Sequence, residues 1–205
     1  MVQSEQQLID ALQQRERRAC DQLVERYSSR LYDVALRLTG HPNEAEEVLQ
    51  ETFINACRSV DSFEGRSGLG TWLYRIATNN GLMRLRRKTA PTVSLDVDDE
   101  AGAGEFQPRD LTDWRWDPES TALTTDLRST LDAAVASLPP SLQAAFILRD
   151  IEGLSTEEAA EALGISREAL KVRLHRARLM LRERLADYVR HAPLVTWEAR
   201  RATIY

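Results

Sequence analysis

The sequence predicts an all-α protein of two small helical domains joined by a flexible acidic linker. Three observations carry this reading. Apolar residues recur at three- and four-residue steps, Gly and Pro are sparse, and no segment alternates as a strand does. Between Thr89 and about Pro118 the periodicity lapses, and acids, two Gly and three Pro accumulate over a stretch too long for a routine loop. Charge is segregated: residues 71–88 hold Arg75, Arg84, Arg86, Arg87 and Lys88 with no acid, whereas residues 92–119 are strongly acidic. The boundaries that follow are 1–88 for the first unit, 89–118 for the linker, 119–189 for the second unit and 190–205 for a C-terminal extension.

In chain order, residues 4–14 form a short amphipathic helix around Leu8, Ile9 and Leu12. Residues 16–39 form a longer one, with Leu23, Tyr27, Leu31, Val34 and Leu38 on one face. Gly40 ends it and Pro42 opens the next, which reaches Val60 with an apolar stripe through Ala45, Val48, Leu49 and Phe53. A loop with Gly65, Gly68 and Gly70 precedes a helix over Thr71–Lys88. After the linker, helices are expected over 119–137, over 141–152 behind Pro139-Pro140, over Thr156–Leu163, and from Ser166 to about Val189. Ser155 and Glu158 make a capping box, and Gly153 and Gly164 punctuate the turns. The tail from His191 has no clear period.

A net charge of −5 argues against a protein that coats DNA nonspecifically, since such affinity comes from phosphate neutralisation. The polar N-terminus is no signal peptide, and no apolar run approaches the roughly 20 residues that span a bilayer. A cytoplasmic protein without membrane insertion is expected. Cys20 and Cys57 sit in helical patterns far from any His cluster, and are read as two buried or half-buried thiols in a reducing compartment.

The sharpest local signal lies between Ser155 and Leu185. Two helices meet at a turn containing Gly164, and the first is rich in small residues, Ala159, Ala160 and Ala162, which permit close packing. Ile165 and Leu170 fill the angle between them. This is the layout of a helix-turn-helix whose second helix enters the major groove. That helix carries Arg167, Lys171, Arg173, His175, Arg176 and Arg178, which suit phosphates on both groove walls or guanine edges. A solvated basic face is the plainer reading of such a stripe, but the capped short helix and Gly turn favour DNA.

In the first unit the helix from Pro42 sets an acidic face of Glu44, Glu46, Glu47 and Glu51 beside its apolar stripe. These carboxylates fan around a solvated face with no His among them, so neither a metal nor acid–base catalysis is expected, and a protein-binding surface is. No cofactor is implied. The helix Thr71–Lys88 interleaves Trp72, Tyr74 and Arg75 with Asn79, Asn80 and a basic end. Rings, amides and cations in one helix suit unstacked bases and their phosphates. Trp72 is read in a mixed role, part core and part contact.

These residues resemble a known family. Glu44-Ala45-Glu46-Glu47-Val48-Leu49-Gln50-Glu51-Thr52-Phe53, Asp61-Ser62-Phe63 and Thr71-Trp72-Leu73-Tyr74-Arg75-Ile76-Ala77-Thr78-Asn79 resemble region 2 of the extracytoplasmic-function sigma factors of the sigma-70 family. Leu138-Pro139-Pro140, Leu148–Ser155 and Leu174-His175-Arg176-Ala177-Arg178 resemble their region 4. Two motif sets in the right order make the match specific. The resemblance implies a non-enzymatic initiation factor that directs the bacterial RNA polymerase core to promoters. Glu44, Glu47, Gln50, Glu51 and Phe53 would meet the clamp helices of the largest subunit, with the polymerase flap as a second contact. Phe63, the following loop, Trp72, Arg75, Ile76 and Asn79 would recognise and hold open the −10 element and capture a flipped base, with Arg84, Arg86 and Arg87 on the backbone nearby. Ser166, Arg167, Lys171, Arg173, His175 and Arg176 would read the −35 element. The acidic linker would thread the polymerase's basic channels, with Trp114 and Trp116 as anchors or merely hydrophobic spots.

The chain departs from the family where a Gly-Thr-Val-Lys-Ser-Arg run is common, since it has Glu168-Ala169-Leu170-Lys171-Val172-Arg173. Apolar contact of Ala169 or Val172 with a thymine methyl is one reading of that change. The alternative function is a stand-alone helix-turn-helix regulator, and the acidic helix and linker count against it. Exposed, charge-segregated surfaces on two joined units further predict autoinhibition or an anti-sigma partner, with both units masked.

Overall fold

The computed structural model describes residues 4–89 and 125–191. The linker with Trp114 and Trp116, and nearly all of the C-terminal extension, lie outside them. Among the described residues there are eight α-helices and no strand.

α1 (Glu5–Gln13) starts at a capping box in which Ser4 accepts from Gln7 N and the Gln7 side chain accepts from Ser4 N. It buries Leu8, Ile9, Ala11 and Leu12. The expected second helix starts three residues late. Arg15 takes a left-handed backbone (φ 55°), which breaks the helical path, and α2 runs Ala19–Thr39. Gly40 closes it in the left-handed conformation (φ 73°), its N–H donating to Leu36 O. Pro42 opens α3 (Pro42–Ser59), which buries Ala45, Val48, Thr52, Phe53 and Ala56. A 3-10 turn, Val60–Ser62, leads to the loop, and α4 spans Leu69–Thr89. Gly81 lets α4 come close to α2, because a Cβ there would sit 3.2 Å from the Leu38 side chain. Asn80 Nδ2 donates to Thr52 Oγ1 at 3.3 Å and ties α4 to α3.

Cys20 and Cys57 are not separate thiols: they are joined as a disulfide, with Cα atoms 6.2 Å apart. α2 and α3 form an antiparallel hairpin about Gly40, and this sets the start of one beside the end of the other. Residues 20 and 57 lie almost symmetrically about that turn.

In the second unit α5 (Thr125–Ala136) leads to Pro139-Pro140 and α6 (Pro140–Phe146). The expected single helix over 141–152 is in fact α6 followed by a π-helical turn, Ile147–Ile151, which Glu152 N closes on Ile147 O. α7 (Thr156–Leu163) buries Ala159, Ala160 and Ala162, and Gly164 (φ 66°) caps it. α8 (Arg167–His191) follows, anchored by Leu170, Leu174, Ala177 and Leu181.

The units are docked. One hydrophobic core runs through both. Gln143 Nε2 donates to Arg37 O at 2.8 Å, and Tyr74 Oη donates to Glu152 Oε2 at 3.0 Å. Burial pushes both groups of the second pair up, the Tyr74 hydroxyl above the usual phenol range and the Glu152 carboxyl above the usual carboxylate range.

Candidate nucleic-acid interface

α4 divides its surface by side. Leu73, Tyr74, Ala77 and Thr78 face inward and are buried. Arg75 and Asn79 are exposed four residues apart, with Ile76 half-buried between them and Arg86 and Arg87 exposed further on. The α4 stripe also exposes Met83, which sequence reasoning passed over although its spacing from Asn79 places it there.

Two residues expected to make contacts are largely buried. Phe63 is 6% exposed and its ring lies 5.3 Å from that of Trp72, tilted by 54°. It packs against Trp72, which is half-buried, and its remaining edge lines the cleft beside the following loop. Phe53 is 8% exposed and belongs to the same core, so it offers little to a protein partner. Both lie on the inward stripe of their segment, where aromatic burial outweighs exposure.

The outer face of α3 presents Glu46, Glu47, Gln50 and Glu51, with Glu44 partly buried. Ile54, 49% exposed, continues that face one turn on and was not anticipated. A large exposed aliphatic beside carboxylates fits a protein contact better than a merely solvated face. Arg84 bridges the two expected surfaces: it reaches from α4 to Glu47, and to Glu51 at 3.5 Å. Its guanidinium faces α3 and not outward with Arg86 and Arg87.

In the second unit the capping box is complete. Ser155 N donates to Glu158 Oε2 at 2.8 Å and Glu158 N to Ser155 Oγ at 3.1 Å. The backbone N–H of Ser155 holds the Glu158 carboxyl below the usual range. Ser166, expected at DNA, accepts from Ala169 N at 3.1 Å and so caps α8. Arg167 pairs with Glu157 at 3.1 Å across the turn. Lys171 and Val172 are exposed, while Arg173, His175 and Arg176 are half-buried. Arg178 is bracing: its Nε and Nη2 donate to the two oxygens of Asp150 at 2.9 and 2.8 Å. Docking of the units leaves Arg75, Asn79, Arg167 and Lys171 exposed, so contact between the units does not by itself cover these groups. The inter-unit contact uses the opposite side of α4, around Tyr74.

A two-unit helical protein with a capped helix-turn-helix and a second helix bearing exposed cations and amides defines a DNA-binding class. Comparison with known proteins narrows it. Residues 23–90 match the model of Sigma-70 region 2, and residues 128–181 that of Sigma-70, region 4. ECF RNA polymerase sigma factor SigW of Bacillus subtilis is 33% identical over 80% of this chain and 88% of its own. RNA polymerase sigma-H factor of Pseudomonas aeruginosa is 32% identical over 93% and 98%. ECF RNA polymerase sigma factor SigE of Mycolicibacterium smegmatis is 37% identical over 82% of this chain, which spans 62% of that relative. Among solved structures, CnrH in complex with the cytosolic domain of CnrY superposes with a TM-score of 0.62 at 22% identity, covering 89% of this chain and 97% of that one. The sigma factor RpoE of Bartonella quintana, in complex with the anti-sigma factor NepR, does so at 0.59 and 25% identity, covering 82% and 98%. The chain belongs to the sigma-70 family, among its extracytoplasmic-function sigma factors, and is a transcription initiation factor and not an enzyme. The stand-alone regulator is thereby set aside. No helix among the described residues is long and apolar enough to cross a membrane.

Proposed function

We propose that this sigma factor acts in the cytoplasm, through three surfaces distributed over the units 1–88 and 119–189. The outer face of α3, Glu44, Glu47, Gln50 and Glu51 with Ile54 added, docks on the clamp helices of the polymerase's largest subunit, and the second unit meets the flap. The α4 stripe of Trp72, Arg75, Ile76 and Asn79, with Arg86 and Arg87 beyond it, holds the −10 element open, and the loop after Phe63 takes the flipped base. The N-terminal half of α8, led by Arg167 and Lys171 with Arg173, His175 and Arg176 at its flank, reads the −35 element. Phe53 and Phe63 support these surfaces from the core, Ser166 fixes the start of α8, and Arg84 couples the polymerase face to the DNA face. Residues 89–118 connect the units and 190–205 form an extension.

The observation that carries this reading is the exposed, acid-free stripe of α4, which sets an amide and cations on the side away from the core. An anti-sigma partner is proposed because the solved relatives CnrH and RpoE are held by CnrY and NepR. The deciding experiment is transcription in vitro with sigma-free bacterial core polymerase and supercoiled DNA, with mapping of RNA 5′ ends. Discrete starts sharing a two-part upstream sequence are expected, and binding of core with no starts from any template would count against the promoter assignment. Asn79→Ala is expected to reduce promoter opening by about tenfold while core binding stays within twofold. Equal loss of both would remove Asn79 from the −10 surface.

A further inference from the structure

We infer that α1 is a splint for the loop between Phe63 and Leu69, and that Glu5 is the positioning residue that sets the loop's shape and thereby its choice of base. The inference rests on the reading of that loop as the part that takes a flipped −10 base.

The loop has little to hold it by itself. Gly65 sits at φ 67°, and Glu64 pairs with the nearby, exposed Arg66. Exposed glycine-containing segments of this kind sample many conformations unless they are tied down. α4 also begins after a glycine. The residue before it, Gly68, has no side chain with which to accept any of the first N–H groups of the helix.

Both needs are met by α1. Glu5 Oε1 accepts from Leu69 N at 2.9 Å, a cap supplied from 64 positions away. A carboxylate there also complements the positive end of the α4 dipole. Glu5 Oε2 accepts from Tyr27 Oη at 3.2 Å, so the carboxylate is itself fixed by α2. At the other end of the loop, Arg15 pairs with Asp61 at 2.8 Å. α1, through Glu5, and the turn that follows it, through Arg15, thus grip the chain on both sides of the loop. Between helix and loop lies an open cleft of about 440 Å³, with Gln6 and Gln13 of α1 facing Glu64 and Ser67. A base held by this loop therefore enters a space whose second wall is α1. The segment matched to the region 2 model starts at residue 23, so the splint lies outside it.

The test uses the full chain with bacterial core polymerase and a promoter library randomised through the −10 element. Core binding, duplex binding and open-complex formation are read separately for Glu5→Ala, Glu5→Gln, Arg15→Ala and the loop variants Glu64→Ala and Ser67→Ala. Glu5→Ala is expected to keep core binding, to lower open-complex formation by about tenfold, and to flatten the preference at the flipped position. Glu5→Gln keeps an oxygen for Leu69 N and is expected to restore the preference. Arg15→Ala, cutting the other tie, is expected to flatten it more weakly. Loop variants that shift the preference while Glu5→Ala and Arg15→Ala leave it unchanged would overturn the splint alone. Loop variants without any effect on the preference would overturn the reading of the loop, and the splint with it. An equal loss in Glu5→Ala and Glu5→Gln would also overturn the capping role.

Discussion

α4 and α8 are both basic helices, yet they deploy their cations differently. On α4 the exposed Arg75, Arg86 and Arg87 stand apart from Arg84, which turns to Glu47 and Glu51 of α3. On α8, Arg178 is locked on Asp150 by two hydrogen bonds and Arg167 leans on Glu157 of the preceding helix, leaving Lys171 as the plainly exposed cation of the first turns. Each helix thus holds cations paired with acids and cations turned to solvent, and charge periodicity alone does not separate them. What separates them is an acid on the neighbouring element. An arginine paired with a shielded acid across the groove, as Arg178 is with Asp150, fixes that groove, whereas the Arg167–Glu157 pair is exposed on both sides and leaves Arg167 open to solvent.

The largest expected contrast lies between adjacent positions of α8. Leu170 is fully buried in the angle between α7 and α8, so Leu170→Ala should cost about 2–5 kcal/mol, read by chemical denaturation. Lys171→Ala should leave stability within about 0.5 kcal/mol. It should weaken −35 duplex binding and lower the salt slope of that binding by about one. A Lys171→Ala protein with an unchanged salt slope would remove the N-terminal half of α8 from the DNA.

A smaller effect distinguishes the two kinds of cation directly. Arg178→Ala breaks a bidentate pair whose acid is 15% exposed and whose base is 43% exposed. With solvent screening of the exposed arginine taken into account, a loss of about 1–2 kcal/mol is expected. The salt slope for −35 DNA should not move. If it fell as in Lys171→Ala, Arg178 would contact DNA and would not be a purely bracing residue.

Much of this was legible in the residues themselves. Helical periodicity, Gly40 and Gly164 as stops, Pro42 as a start and the Ser155–Glu158 box all act over a few residues, and the sequence places them where the structure has them. What escaped depends on which elements become neighbours. Phe53 and Phe63 belong to the motifs but are buried, Phe53 on the inward face of α3 and Phe63 against Trp72 of α4, which the motif alone does not show. Arg84 and Arg178 resemble the cations beside them until Glu47 and Asp150 are seen across the groove. The disulfide could have been found by folding the sequence at Gly40 and noting that 20 meets 57. Ile54 and Met83 carried a signal in the helical spacing alone, as apolar residues on otherwise polar faces.

The smallest effect concerns two glutamates six positions apart that titrate in opposite senses. The backbone N–H of Ser155 lowers the Glu158 carboxyl, so its contribution is present above the unfolded value near 4.5 and is lost as the pH falls through the lower folded value. Burial raises the Glu152 carboxyl, so its contribution is present below that unfolded value and is lost as the pH rises through the higher folded one. Acidification from neutrality should therefore first favour the docked arrangement and then weaken the α7 cap. Ser155→Ala should cost about 0.5–2 kcal/mol at neutral pH but leave most of the later loss in place, because the Ser155 backbone N–H remains, whereas Glu158→Ala should remove that loss. Glu152→Gln removes the buried charge and keeps an oxygen for the Tyr74 hydroxyl. It should stabilise the protein at neutral pH by no more than about 1 kcal/mol and abolish the gain on acidification, in melting curves taken from pH 7 to 4. A Glu152→Gln protein less stable than the parent at neutral pH would mean that the ionised carboxylate holds the two units together, and that its attraction to the nearby Arg30 and Arg37 outweighs its burial.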